Sequence, residues 1–176
     1  NVASNETCFI INANNITLDG QGYQILYATN SSSSSKYGIY VNYSNDTIIK
    51  NIRIQQGNSS GDSKRGIYAG LSYNLTVLNT TIHSNSSAGA GIELASVSNS
   101  TIKDTTVYIS NSNSNGIYLL GASYNNTISN NNITVIGSSS KGIDLFDFAS
   151  DPDFTTIVNN TIRITNSSSF GIVIET

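Results

Sequence analysis

A Gly-Ile pair recurs along the chain as "YGIYV", "RGIYAG", "AGIELA", "NGIYLL", "KGIDLF" and "FGIVIE". Its glycines are Gly38, Gly66, Gly91, Gly116, Gly142 and Gly171, at steps of 28, 25, 25, 26 and 29 residues. A near-fixed period of roughly 20 to 50 residues marks a stacked-repeat architecture, in which one unit cannot bury its apolar side alone.

A second motif keeps the same period: "SNDTIIKNIRI", "YNLTVLNTTI", "SNSTIKDTTVYI", "YNNTISNNNITVI" and "DFTTIVNNTIRI". Together the motifs define three short strands per period. Strand one is Gly-Ile-x-aliphatic, with Ile39, Ile67, Ile92, Ile117, Ile143 and Ile172 on one face. Strand two starts at Thr47, Thr76, Thr101, Thr127 and Thr156, followed by Ile48, Val77, Ile102, Ile128 and Ile157. Strand three carries Ile52, Ile82, Val107, Ile133 and Ile162, with Ile54, Ile109, Val135 and Ile164 close behind. β-Branched residues at period two, in short runs between turn residues, exclude a helical reading.

Stacking each strand on its copy in the next period gives an all-β fold. It is a right-handed, single-stranded parallel β-helix of about six three-strand coils of about 25 residues, one domain over 1–176. Asn79, Asp104, Asn130 and Asn159 are expected to form an inward ladder at the corner after strand two. The stretches "TNSSSSSK", "QQGNSSGDSKR" and "FDFASDPDF" are expected as surface excursions.

Asn, Ser and Thr make up 71 of the 176 residues, yet only 11% are charged and the net charge is −3. Without a basic patch to neutralise phosphates, nucleic acid is excluded as a partner. No apolar run approaches the roughly 20 residues of a membrane span. The single cysteine, Cys8, excludes an internal disulfide framework. There is no Met and no signal-peptide pattern, so a processed form or an excised fragment is expected.

The first coil, "CFIINANNITLDGQGYQILYA", and within it Asn15 to Ile25, resembles the opening coil of right-handed β-helix proteins of the pectate-lyase-like group. It is most similar to their NosD-like copper-protein repeats and to archaeal surface repeats. The resemblance implies the fold across almost the whole chain. The group spans lyases, hydrolases, tailspikes, adhesins and structural repeats, so it does not imply one activity.

Enzymes of such a group place acids and bases on the outward face of one strand row. The outward row of strand one reads Tyr40, Tyr68, Glu93, Tyr118, Asp144 and Val173. Glu93 and Asp144 lie two coils apart, roughly 9.6 Å, near the upper limit for an inverting carboxylate pair. They are the catalytic alternative; solvated acids on a strand face are the plainer reading. Neither the Asp, His and Arg-x-Lys cluster of polygalacturonases nor the Ca²⁺-binding Asp cluster of pectate lyases is recognisable. The outward row of strand three is read as Arg53, His83, Tyr108, Thr134 and Arg163, with His83 a surface residue.

Asp144, Asp147, Asp151 and Asp153 form the densest acidic stretch and offer oxygen ligands to Ca²⁺ as an alternative. A solvated, turn-forming insertion without metal is preferred; no cofactor is expected. Tyr40, Tyr68 and Tyr118 line one face, as a stabilising ladder or as a surface for sugars or protein.

Asn-x-Ser/Thr occurs fourteen times. N-Glycans are expected at Asn30, Asn58, Asn85 and Asn166, with Asn45, Asn74, Asn99 and Asn125 as further acceptors. The repeat itself is the rival explanation, since an inward ladder asparagine cannot carry a glycan. The end segments Cys8, Phe9, Ile10 and Ile11, and Gly171, Ile172, Val173, Ile174 and Glu175, are expected to pair with other copies head to tail. The resulting expectation is a secreted, N-glycosylated, non-catalytic surface protein that assembles end to end into a filament. The alternatives are a polysaccharide-binding or polysaccharide-cleaving module, or an adhesin or viral rod segment.

Overall fold

A computed structural model describes residues 1–30, 35–58, 63–146 and 154–175. Every pairing between its strands is parallel, and the strands fall into three sheets, as the repeat predicts. Strand one contributes seven members: Phe9–Ile11, Tyr37–Asn42, Arg65–Gly70, Ala90–Ala95, Asn115–Leu120, Lys141–Phe146 and Phe170–Glu175. Strand two contributes six, from Thr17–Asp19 to Thr156–Val158, and strand three seven, from Val2–Ala3 to Thr161–Ile164. Each coil thus visits the three sheets once, and the stacked coils form a parallel β-helix. Among the described residues, no helix is long and apolar enough to cross a membrane.

The interior is built from rows of like residues. Ile39, Ile67, Ile92, Ile117 and Ile143 are fully buried, as are Val77, Ile102 and Ile128 from strand two and Ile82, Val107 and Ile133 from strand three. These rows supply the burial that stabilises coils too small to fold singly.

The repeated glycine answers a close approach. A Cβ on Gly91 would lie 2.4 Å from Val107 Cγ1 and 2.7 Å from the Gly116 carbonyl oxygen. Strand three packs directly onto this position, and the glycine's neighbour along the axis is the next glycine of the row.

The corners explain the second motif. Asn51, Asn79, Asp104, Asn130 and Asn159, which follow strand two, all have φ between 48° and 56°. Asn and Asp tolerate this left-handed conformation better than other side chains. A second left-handed column precedes strand two: Asn15, Asp46, Asn74, Asn99 and Asn125. Two residues after each corner the chain is extended and presents an outward side chain, commonly Thr. Asn-x-Thr is therefore the spelling of a corner followed by a strand. Six sequon asparagines, Asn15, Asn74, Asn79, Asn99, Asn125 and Asn159, occupy such corners.

The expected inward ladder is displaced. Asn79, Asp104, Asn130 and Asn159 are exposed, because a left-handed corner turns the side chain outward. The buried ladder lies one residue later, where Asn131 Nδ2 donates to Ile102 O at 3.0 Å and Thr105 N donates to Asn131 Oδ1 at 2.9 Å. A matching buried position, Asn126, donates to Val97 O at 2.8 Å and accepts from Ser100 N at 2.9 Å.

Two registers also differ from the expected ones. Ile48, not Thr47, pairs with Thr76, and Ile49 pairs with Val77. Thr47 takes the buried place of Leu75, and its Oγ1 has no hydrogen-bond partner. Likewise Ile54, not Ile52, pairs with Ile82. Arg53 therefore pairs with Thr81, and the outward row holding His83 reads Gln55, His83, Tyr108, Thr134 and Arg163.

Candidate functional site

The outward face of the strand-one sheet gathers the chain's most varied chemistry. Because each repeated glycine points inward, the residue before it points outward. Tyr37, Arg65, Asn115 and Lys141 therefore stand beside the row Tyr40, Tyr68, Glu93, Tyr118 and Asp144. At the early coils Tyr40 and Tyr68 are stacked, with ring centroids 5.4 Å apart and planes at 11°. Tyr37 leans on both, at 5.0 and 5.2 Å. All three are half-buried.

Two ion pairs continue the face. Arg65 Nε donates to Glu93 Oε2 at 2.7 Å, and an Arg65 terminal nitrogen donates to Ser63 O at 2.6 Å. Lys141 Nζ donates to Asp144 Oδ1 at 3.0 Å and lies 3.4 Å from Glu175 Oε2. Asn115 Nδ2 donates to the other Asp144 oxygen at 2.9 Å. Burial raises the Asp144 carboxyl above its ordinary value, against the lowering effect of Lys141 and Asn115. Burial, then the charges of Asp144 and Glu93, push the Tyr118 phenol up to about 12.

The strand pairing puts Glu93 and Asp144 two coils apart with Tyr118 between them. Each carboxylate is held by a cation, and the side chains are only 6% and 4% exposed. They are not the solvated acids of the plainer sequence reading. The face instead offers aromatic rings for stacking, with guanidinium, amide and ammonium donors beside them.

A polar groove runs elsewhere, over the early coils of strands two and three. It has a volume of about 470 Å³ where Asn51, Arg53, Asn79 and Thr81 meet. It adjoins a second hollow of about 290 Å³ bounded by Gln24, Arg53, Gln55, Thr81 and His83. Sequence reasoning missed this groove, since it depends on the register of Arg53.

The remaining candidates are dispersed. Asp147, Asp151 and Asp153 lie outside the described residues, and among the described residues no three His, Cys, Asp or Glu side chains gather as a metal site. Asn30, Asn45, Asn74 and Asn125 are exposed, whereas Asn58, Asn85, Asn99 and Asn166 are half-buried. Asn74 donates its amide to Asp46 Oδ1 at 2.6 Å, and Asn125 donates to Asn99. Phe9–Ile11 and Phe170–Glu175 form the two edges of the strand-one sheet. Of the end-segment residues, Ile10, Ile172 and Ile174 are exposed, and Cys8 is half-buried with its thiol raised by burial.

Among solved structures, the chain is similar to the A-module of the mannuronan C-5 epimerase AlgE4 from Azotobacter vinelandii. The TM-score is 0.47 at 13% identity, covering 95% of this chain and 55% of that one. The periplasmic alginate epimerase AlgG is similar at a TM-score of 0.43 and 14% identity, covering 96% of this chain and 50% of that one. The chain thus spans about half the length of each. These similar structures are enzymes, which corrects the expectation of a non-enzyme drawn from the sequence. At such identities and TM-scores the likeness gives this chain no activity. No curated protein sequence matches it. A family model described as the right-handed beta helix region matches residues 2–162. The chain belongs to the right-handed β-helix family.

Proposed function

We propose that the chain is a polysaccharide-binding module whose contact surface is the outward face of the strand-one sheet. The observation that carries this reading is the Tyr37, Tyr40 and Tyr68 cluster, followed along the axis by Arg65 and Lys141. Tyrosine rings give a sugar an apolar plane with a polar tip. The donors beside them suit hydroxyl groups. Coils repeat at about 4.8 Å, so the face offers a polymer recurring contacts along one line.

Affinity electrophoresis through gels containing neutral or acidic polysaccharides tests the reading. Retardation is expected for at least one polymer, with Tyr68→Ala weakening it tenfold or more. Equal mobility of wild type and variant in every gel would sink it. NMR of the same polymers after incubation reads any cleavage or epimerisation, and Glu93→Gln and Asp144→Asn then report whether those carboxylates take part.

A further inference from the structure

The polar groove on strands two and three has a charge balance unlike that of the strand-one face. On the strand-one face both cations are already matched, Arg65 by Glu93 and Lys141 by Asp144 and Glu175. In the groove, Arg53 is exposed, and among the described residues no carboxylate lies within ion-pair distance of it. The one acid on the groove wall, Asp19, is turned to other partners. It lies 3.4 Å from Lys50 Nζ and accepts from Asn51 Nδ2 at 3.1 Å and Gln21 N at 3.0 Å.

Arg53 and Thr81 line both adjoining hollows, so the guanidinium sits where they meet. Around it the walls offer neutral hydrogen-bonding groups, from Gln24, Gln55, Thr81 and Asn79. Strand pairing sets Thr81 directly beside Arg53, and His83 directly beside Gln55. One coil further on, the His83 and Tyr108 rings pack at 5.4 Å and 37°. An unmatched guanidinium favours a planar anion, which it can grip with two parallel hydrogen bonds. Amide and hydroxyl walls favour hydroxylated neighbours of that anion, and a ring pair favours a flat apolar face.

From this we infer a second binding site, separate from the strand-one face, that takes an acidic oligosaccharide. One carboxylate sits on Arg53, its hydroxyls face Gln24, Gln55 and Thr81, and an adjacent sugar ring lies over His83 and Tyr108.

The test uses the whole chain and titrates three probes: a galacturonate hexamer, a neutral galactose hexamer and sodium acetate. Binding is read by calorimetry and by NMR shifts of the Arg53 and His83 side chains. The galacturonate hexamer is expected to bind and to shift both side chains, while the neutral hexamer and acetate bind at least tenfold more weakly. Arg53→Gln is expected to weaken the acidic hexamer tenfold or more. Tyr68→Ala, on the other face, is expected to leave those shifts unchanged. Arg53 is exposed, and an unaltered circular dichroism spectrum identifies a folded variant; Arg53→Lys, which keeps the charge and loses the fork, should fall between the two. The inference is overturned if Arg53→Gln binds like wild type, if the neutral hexamer binds equally, if acetate alone accounts for the shifts, or if only Tyr68→Ala abolishes binding. That last result would leave the strand-one reading standing alone.

Discussion

Asn79 donates its side-chain amide to Asn51 Oδ1 at 2.8 Å, and both residues hold the same left-handed corner, at φ of 48° and 54°. Asn51 in turn donates to Asp19 Oδ1 at 3.1 Å. A residue chosen for its backbone conformation thus also supplies a rung between successive coils.

Replacing that rung separates the two roles. Asn79→Ala loses the rung and forces alanine into the left-handed region, which costs about 1–2 kcal/mol. Asn79→Gly loses only the exposed rung and is expected within about 0.5 kcal/mol of wild type. Urea denaturation of both variants checks the order; an alanine variant as stable as the glycine variant would contradict it.

The glycine row gives a steric prediction. Gly91→Ala sets a methyl 2.4 Å from Val107 Cγ1 and 2.7 Å from the Gly116 carbonyl oxygen. Overpacking of this kind costs about 1–3 kcal/mol, or more where backbone must move. Adding Val107→Ala should restore only part of the loss, because the carbonyl contact remains. A double-mutant cycle on the urea midpoints measures that fraction.

Thr47 predicts a gain. Its Oγ1 is buried without a partner, in the place that Leu75 fills one coil later. An unsatisfied buried hydroxyl costs about 1–3 kcal/mol, so Thr47→Val, nearly isosteric, should stabilise the chain by about 1 kcal/mol. A lower thermal midpoint for the variant would show that the hydroxyl is satisfied in solution.

The pH dependence follows from Asp144. Burial raises its folded-state carboxyl above the ordinary 3.8. Such a group binds more protons folded than unfolded, so its contribution is full below the ordinary value and is lost as pH rises through the folded value. Asp19 runs the other way: its hydrogen bond with Asn51 lowers its carboxyl, so its contribution is lost as pH falls. The stability difference between wild type and Asp144→Asn isolates the first effect. It should move against wild type as pH rises from about 3 to about 7, as read by urea midpoints at each pH. A difference that stays flat, or moves the opposite way, would contradict the sign.

The strand rows were legible because each inward position repeats its residue type: Ile67, Ile92 and Ile117 could be aligned by eye and do pair. The corners were legible only as spelling. "NDT" at Asn45 and "NLT" at Asn74 look alike, yet the structure matches Asp46 with Asn74 and Thr47 with Leu75, since either Asp or Asn accepts a left-handed corner. The slip moved Thr47 off its true position. A similar one at Ile52, which alternates with Ile54 as convincingly as a strand residue would, misplaced Arg53 and hid the groove. On the strand-one face, Glu93 and Asp144 were legible as outward acids. The cation of Glu93 was not, because Arg65 stands 28 residues away and meets it only once the register is fixed, whereas Lys141 stands three residues before Asp144 on the same strand.

Parallel pairing makes every ladder bond join one coil to the next, so these bonds run along the helix axis. Tension on one end of the chain would load only the bonds of the last coil, and the chain would peel coil by coil. The same stacking that orders the coils therefore sets the order in which they come apart.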